Sequence, residues 1–210
     1  MQKQYPVPNF FVLEGLDGAG TTTQLQLIAR RAAEEQLPVS CTFEPTDNPV
    51  GRLIRQVLGK NIALSGATLS YLFAADRHEH VFGISGIMEI LQQSSTVVCD
   101  RYLFSSLAYQ SLSADIRHIA ELNREFPLPE TVFFLDTPVL VCESRRKNRV
   151  NEELFENQSV QEKVAAGYRQ AFDLFAGSGM EILTIDGTLP PEKIHEKIWK
   201  RIGVMPIVKE

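Results

Sequence analysis

The stretch Gly15-Leu16-Asp17-Gly18-Ala19-Gly20-Thr21-Thr22-Thr23 combines three glycines, a carboxylate and a run of hydroxyls. Glycines let backbone N–H groups converge on phosphate oxygens without obstruction, and a helix beginning behind them adds a potential that favours an anion. Gly15 and Gly20 occupy the two glycine positions of the pattern G-x-x-x-x-G-K-[ST], and Thr22 occupies the hydroxyl position that reaches magnesium. Thr21 stands where that pattern has lysine. A charge-assisted hydrogen bond contributes about 1.5–3 kcal/mol, and one transition-state donor in a closed site is worth about 10²–10³ in rate. Threonine cannot supply that charge, although the backbone cradle and the magnesium position survive its presence. For the bare motif, a glycine turn that packs a helix against a strand is the alternative reading.

The elements around this turn suit phosphate binding. Phe10 to Glu14 reads as a buried strand leading into it, and Leu25, Ile28, Ala29 and Ala32 recur at helical spacing within Thr22 to Gln36. Val39 to Phe43 is a second strand, followed by the turn Glu44-Pro45-Thr46-Asp47-Asn48-Pro49 and a helix from Val50 to Leu58. A longer helical region, Ser65 to Gln92, bends near Gly83 and Gly86. Thr96 to Asp100, Thr131 to Asp136 and Glu181 to Asp186 are further strands. Strands alternating with helices predict an α/β fold: a P-loop three-layer sandwich, its mostly parallel five-stranded sheet covered by helices on both faces. Ligands bind such sheets at the carboxyl ends of the strands, where Gly15, Glu44 and Asp100 would lie. Arg145 to Glu156, rich in charge between two helical stretches, reads as a flap or as a solvated helix end.

Several blocks beyond the loop resemble the thymidylate kinase family. They are Phe11 to Gly20; Glu44-Pro45-Thr46 with Gly51-Arg52-Leu53-Ile54-Arg55; Phe73-Ala74-Ala75-Asp76-Arg77; and Asp100-Arg101-Tyr102 with Ser105-Ser106-Leu107-Ala108-Tyr109-Gln110. Their order and separation agree with the family over roughly Phe10 to Asp186. The resemblance implies transfer of the γ-phosphoryl group of ATP to dTMP with Mg2+, giving dTDP, by a homodimer. It further implies that Gly15 to Thr23, including Leu16, Gly18 and Ala19, hold ATP, and that Thr22 and Asp100 hold the metal. On the acceptor side, Phe73 would stack on thymine, Arg77 would hydrogen-bond the base, and Ser106, with Ser105 and Gln110 beside it, would face its polar edge. Tyr109 would pack against the sugar, Asp17 would accept from the 3′-hydroxyl, and Arg52 and Arg101 would hold the acceptor phosphate. Glu44 would meet the metal or water shell of that phosphate; the position before it is often arginine in the family and is Phe43 here. Family lids place arginine over the donor phosphates, which selects Arg145 and Arg149, joined by Lys147, as cations that could compensate for the absent lysine. Asp17, Asp100, Arg101, Arg145 and Arg149 are the expected catalytic set.

Composition sets the outer bounds. A chain of 210 residues with 44% hydrophobic and 22% charged content fits one globular domain, 1–210, with a lid over 143–157. A net charge of −5 argues against a broad nucleic-acid surface, while a small phosphorylated ligand needs positive charge only locally. Cys41, Cys99 and Cys142 are too few and scattered for a disulfide framework, and His78, His80, His118 and His195 form no metal-ligand spacing with cysteine or aspartate. No run approaches membrane-spanning length, so the expected compartment is the cytoplasm, without membrane or nucleic-acid partners. Two other readings stay open: a nucleotide-binding protein without catalysis, and a kinase for another nucleoside monophosphate.

Overall fold

The computed structural model describes residues 4–93, 95–147, 154–155 and 157–203. Five strands form one sheet: β1 (Pro6–Gly15), β2 (Val39–Phe43), β3 (Thr96–Asp100), β4 (Leu128–Asp136) and β5 (Glu181–Asp186). Their spatial order is β2-β3-β1-β4-β5, and every neighbouring pair is parallel. Between them run α1 (Thr21–Glu34), α2 (Pro49–Leu58), α3 (Gly66–Phe82), α4 (Ile87–Gln92), α5 (Leu103–Gln110), α6 (Ile116–Leu122), α7 (Val139–Arg146), α8 (Gln158–Leu174) and α9 (Pro191–Ile202). The helices cover both faces of the sheet, α1 packing with α9 and α5 with α8.

Central strands buried on both faces read as continuous apolar runs, and β1 and β3 show this: Phe10 to Leu13 and Val97 to Cys99 are almost without exposure. The strand order puts β1 at the centre, with β3 on one side and β4 on the other. The connection after β1 leads outward to β2, whereas β4 returns to the opposite side, so the order reverses around β1. That reversal opens a crevice at the carboxyl ends of β1 and β3. Register brings the chemistry there: Leu13 pairs with Asp100 and Gly15 with Leu135.

The long helical region breaks where expected. α3 ends at Phe82, Ser85 takes a positive φ of 57°, and Gly86 starts α4. Ser65 caps α3 by accepting from the Thr68 N–H. A small second core of Ile54, Val57 and Leu69 joins α2 to α3, with Phe73 and Phe155 packed against it. Among the described residues, no helix is long and apolar enough to cross a membrane.

Candidate active site at the strand ends

The glycine-rich loop has the backbone that its composition requires. Gly18 and Gly20 have φ of 91° and 108°, values that L side chains rarely adopt. A Cβ on Gly18 would also lie 2.7 Å from the Cys142 carbonyl oxygen, so the loop and α7 meet backbone against backbone. Gly20 is the N-cap of α1, and among the described residues no side chain caps that helix end, which leaves its N–H groups facing an incoming anion. Thr21 is buried at the first helical position.

Thr22 and Asp100 come together on this end of the sheet: the threonine hydroxyl donates to Asp100 Oδ2 at 2.7 Å. The other oxygen, Oδ1, is buried and has no hydrogen-bond partner among the described residues. An orphaned carboxylate oxygen beside a phosphate-loop hydroxyl fits a divalent cation that keeps most of its water and shares phosphate oxygens. Among the described residues no group of three or more His, Cys, Asp or Glu forms a protein-only cage.

Arg101 follows directly, in a left-handed conformation with φ 70°. A non-glycine residue there costs on the order of 1–3 kcal/mol and persists only where its surroundings over-determine it. Those surroundings are visible. Its N–H donates to Leu13 O at 2.9 Å, Nη2 to Asp17 Oδ1 at 2.6 Å, and Nη1 to Gly15 O and Ser105 Oγ, both at 3.2 Å. The guanidinium also lies over the Tyr109 ring, 5.5 Å from its centroid.

Glu14, missed as a site residue by sequence reasoning, underlies this cluster. Its Oε1 accepts the N–H groups of Tyr102 (2.9 Å) and Ser105 (3.2 Å), and its Oε2 accepts from Ser105 Oγ (2.6 Å) and Tyr168 Oη (2.9 Å). Burial nevertheless pushes its pKa up to about 7, against the opposing pull of those hydrogen bonds and of Arg101. A charged residue written into an otherwise apolar strand was the available signal. Gln161, also missed, lies on α8 and donates to both Asp17 Oδ2 (3.1 Å) and Phe155 O (2.7 Å). Only the fold brings it there.

Two cavities open on either side of the Asp17–Arg101 pair. One is lined by Phe73, Arg77, Tyr102, Ser105, Ser106, Tyr109, Gln110 and Phe155, with Glu44, Arg55 and Leu58. Arg77 is almost wholly buried: Nε (2.9 Å) and Nη2 (2.7 Å) both donate to Glu44 Oε2, Nη2 reaches Ser106 Oγ at 3.1 Å, and Nη1 donates to Asn123 Oδ1. Its charge also lies between the rings of Tyr102 and Phe126. Glu44 is therefore spent inside the protein, with Arg77 on one oxygen and His80 Nδ1 on the other at 3.0 Å. It serves as the seat of Arg77 and also borders the cavity. Gln110 Oε1 is buried without a partner among the described residues, a polar atom that a ligand in this cavity can satisfy.

Arg52 is not brought to this cavity. Its Nη1 donates to Asp47 O at 2.5 Å on the exposed side of α2, and Arg55, one helical turn further, lines the cavity instead. Arg55 is anchored on Thr46 O and on Asp47 Oδ1 (2.7 Å), above the ring of Phe43. The residue that stands where an arginine was expected thus carries another arginine on its face.

The second cavity is lined by Asp17 to Gln24, Arg101, Arg145, Gly187, Leu189, Pro191 and Ile194. Arg145, in the last turn of α7, donates to Ala19 O (3.1 Å) and Gly187 O (2.9 Å). Lys147 follows the last residue of α7, and Arg149 lies outside the described residues, as do the other positions of 148–153 and position 156 of the expected lid.

The family profile described as thymidylate kinase matches residues 13–198. The putative thymidylate kinase of Treponema pallidum (strain Nichols) is 44% identical over 195 residues, covering 90% of this chain and 92% of that protein. The probable thymidylate kinase of Pyrococcus abyssi (strain GE5 / Orsay) is 38% identical over 196 residues, covering 90% and 93%. Among solved structures, the thymidylate kinase of Candida albicans superposes with a TM-score of 0.77 at 23% identity, covering 93% of this chain and 91% of that one, a likeness of fold.

Proposed function

This chain belongs to the thymidylate kinase family of phosphotransferases, and on that basis we propose that it moves the γ-phosphoryl group of ATP to dTMP, giving dTDP. One observation carries the geometry: among the described residues the two cavities have only Asp17 and Arg101 as common lining, so their contents meet at that pair. The cavity with the phosphate loop takes ATP, and the cavity with Phe73 and Arg77 takes dTMP. Phe73 offers a flat face to the base. Arg77, held by Glu44, Asn123 and Ser106, offers a guanidinium to a base carbonyl. Tyr109 and Phe155, in edge contact with ring centroids 5.5 Å apart, close around the sugar. Asp17 accepts from the sugar hydroxyl, and Gln161 holds its far oxygen.

The acceptor oxygen is already ionised, so the reaction needs no general base and rests on alignment and charge. Arg101 grips the acceptor phosphate from the meeting point, and Arg55 takes the part expected of Arg52. Thr22 and Asp100 would hold Mg2+, which neutralises donor phosphate charge when bound. Thr22 is oriented for this by its bond to Asp100, and Asp100 by its place at the end of β3. α1 presents its first N–H groups to the donor phosphates. Arg145 borders them and belongs to the catalytic set. We assign the cytoplasm and a homodimer to the protein by family resemblance; the exposed Tyr71 and Phe82 on α3 are apolar surface of the kind a subunit contact covers.

Incubation of the purified protein with Mg2+, ATP and dTMP, with chromatographic detection of dTDP, tests the reading. Formation of dTDP faster than dUDP, dCDP or dGDP from their monophosphates supports it. Binding of dTMP without turnover would leave a nucleotide-binding protein, and a faster rate with another monophosphate would reassign the acceptor.

A further inference from the structure

The turn after β2 is docked on α3 at two adjacent residues. Arg77 holds Glu44, and Asp76, the residue before it, holds Thr46. Asp76 is 1% exposed, and both of its hydrogen bonds among the described residues go to Thr46. Its Oδ2 accepts the Thr46 N–H at 2.8 Å, and its Oδ1 accepts from the Thr46 hydroxyl at 2.5 Å. That hydroxyl in turn accepts the N–H of Asn48, the N-cap of α2, at 3.1 Å. The remaining polar group of Thr46, its carbonyl, accepts from Arg55 Nη1. Gly51 lets the turn lie this close to α2: a Cβ there would stand 2.0 Å from Thr46 O and 2.7 Å from Thr46 N. Thr46 is thus gripped from α3 by its N–H and hydroxyl and offers its carbonyl to α2. The other anchor of Arg55, Asp47 Oδ1, belongs to a side chain that is 79% exposed, where water screens the pair and leaves it weak. The Thr46 carbonyl is the anchor that the fold itself fixes.

We propose that Asp76 is a positioning residue for the acceptor phosphate: through Thr46 it fixes the carbonyl that aims Arg55 into the acceptor cavity. Guanidinium has five N–H donors, and Thr46 O and Asp47 take two of them, so the fork keeps donors for phosphate oxygens. A long side chain already held by a clamped turn gives up less freedom when it grips its ligand. Asp76 and Arg77 then serve the two ends of one molecule. Arg77 meets the base itself, whereas Asp76 acts on the phosphate through Thr46 and Arg55. The span between the two contacts is set by consecutive residues of one helix, and the turn between them has no freedom to change it. This assignment rests on the reading of the cavity as the dTMP site.

The test compares equilibrium binding of dTMP with that of thymidine, which has the same base and sugar and no phosphate, by isothermal titration calorimetry. Asp76→Asn should weaken dTMP by about five- to tenfold, the scale of a weakened charge-assisted contact. Thymidine should stay within about twofold of its parent value, as for a change that leaves its contacts alone. Thr46→Val keeps the shape and removes the hydroxyl, so it should repeat that pattern; Thr46→Ser keeps the hydroxyl and should bind both ligands like the parent. In an Arg55→Ala background, Asp76→Asn should weaken dTMP by less than about twofold more, because the clamp acts through that arginine. Equal losses for dTMP and thymidine would overturn the proposal and mark Asp76 as a support for α3 and Arg77. Full additivity of Asp76→Asn with Arg55→Ala would overturn it too. Should Asp76→Asn fold poorly, the two Thr46 variants give the same comparison from the turn. A parent that binds thymidine as tightly as dTMP refutes the reading of the cavity, and the proposal with it. A parent that prefers dTMP, with Asp76 and Thr46 variants that keep the whole preference, refutes the proposal alone.

Discussion

Arg52 and Arg55 are separated by three positions on α2 and stand in different surroundings. Arg52 closes on the Asp47 carbonyl at the exterior, whereas Arg55 borders the acceptor cavity. Arg55→Ala should therefore raise KM for dTMP by roughly 10-fold or more, the scale of one charge-assisted contact, and Arg52→Ala should change it by less than about twofold, as at an ordinary surface site. Steady-state kinetics with dTMP varied at saturating ATP reads both. The distinction was not legible in the sequence, because both arginines fall in one matched block and only the direction of each side chain separates them. Glu14 makes a second case. Its carboxyl, at about 7 in the folded chain against 4.5 ordinarily, binds a proton more tightly folded than unfolded. Its contribution is thus fully present below pH 4.5 and is lost as pH rises through 7, a change on the order of 3 kcal/mol. Glu14→Gln cannot ionise and should flatten the fall in Tm between pH 5 and 8; an unchanged slope in differential scanning calorimetry would assign that fall to other groups.

Element boundaries were most legible where turn residues bound a short β-rich run. β2, β3 and β5 coincide with the apolar runs Val39–Phe43, Thr96–Asp100 and Glu181–Asp186, each bounded by turn residues. β1 is longer than its apolar run, because Pro6 and Val7 pair with Leu128 and Pro129 beyond a register shift, and such pairing follows from a distant strand. The contacts of α8 were likewise unreadable. Gln161 is 144 positions from Asp17, yet α8 packs on α5 and delivers it to the loop. One amide group there ties Asp17 to the Phe155 carbonyl, and so ties the phosphate loop to the segment that closes on Tyr109. Gln161→Leu should raise KM for dTMP and lower kcat, each by about tenfold, with little dependence on pH, since a half-buried carboxylate oxygen loses its partner. Gln161→Glu should do more harm at pH 8 and recover towards pH 6, because like charges side by side favour a shared proton. Parallel pH profiles for the two variants would show that the tie to Phe155, rather than the charge of Asp17, is what Gln161 maintains.

The molecule carries a net charge of −5 yet gathers Arg55, Arg77, Arg101 and Arg145 along one crevice, with Asp17 and Glu44 among its lining carboxylates. That crevice has two builders. α1, α7 and the segment after β5 form the donor wall, and α2, α3 and α5 form the acceptor wall. Among the described residues the walls share Asp17 and Arg101 alone, and these stay joined at 2.6 Å above Glu14 and Tyr168. A single compound that joins adenosine to thymidine through an oligophosphate should therefore occupy both cavities at once. It forgoes the second association cost, so it should bind more tightly than ATP or dTMP alone. At about 100 times its Kd a ligand stabilises the folded state by about 2.7 kcal/mol, which for a chain of this size is a rise in Tm of roughly 5–11 °C. Phe73→Ala should remove the thymidine share of that rise and Arg145→Met the phosphate share. Shifts no larger than those of ATP alone would mean that the two cavities do not open into one another, and the meeting point at Asp17 and Arg101 would have to be abandoned as the site of transfer.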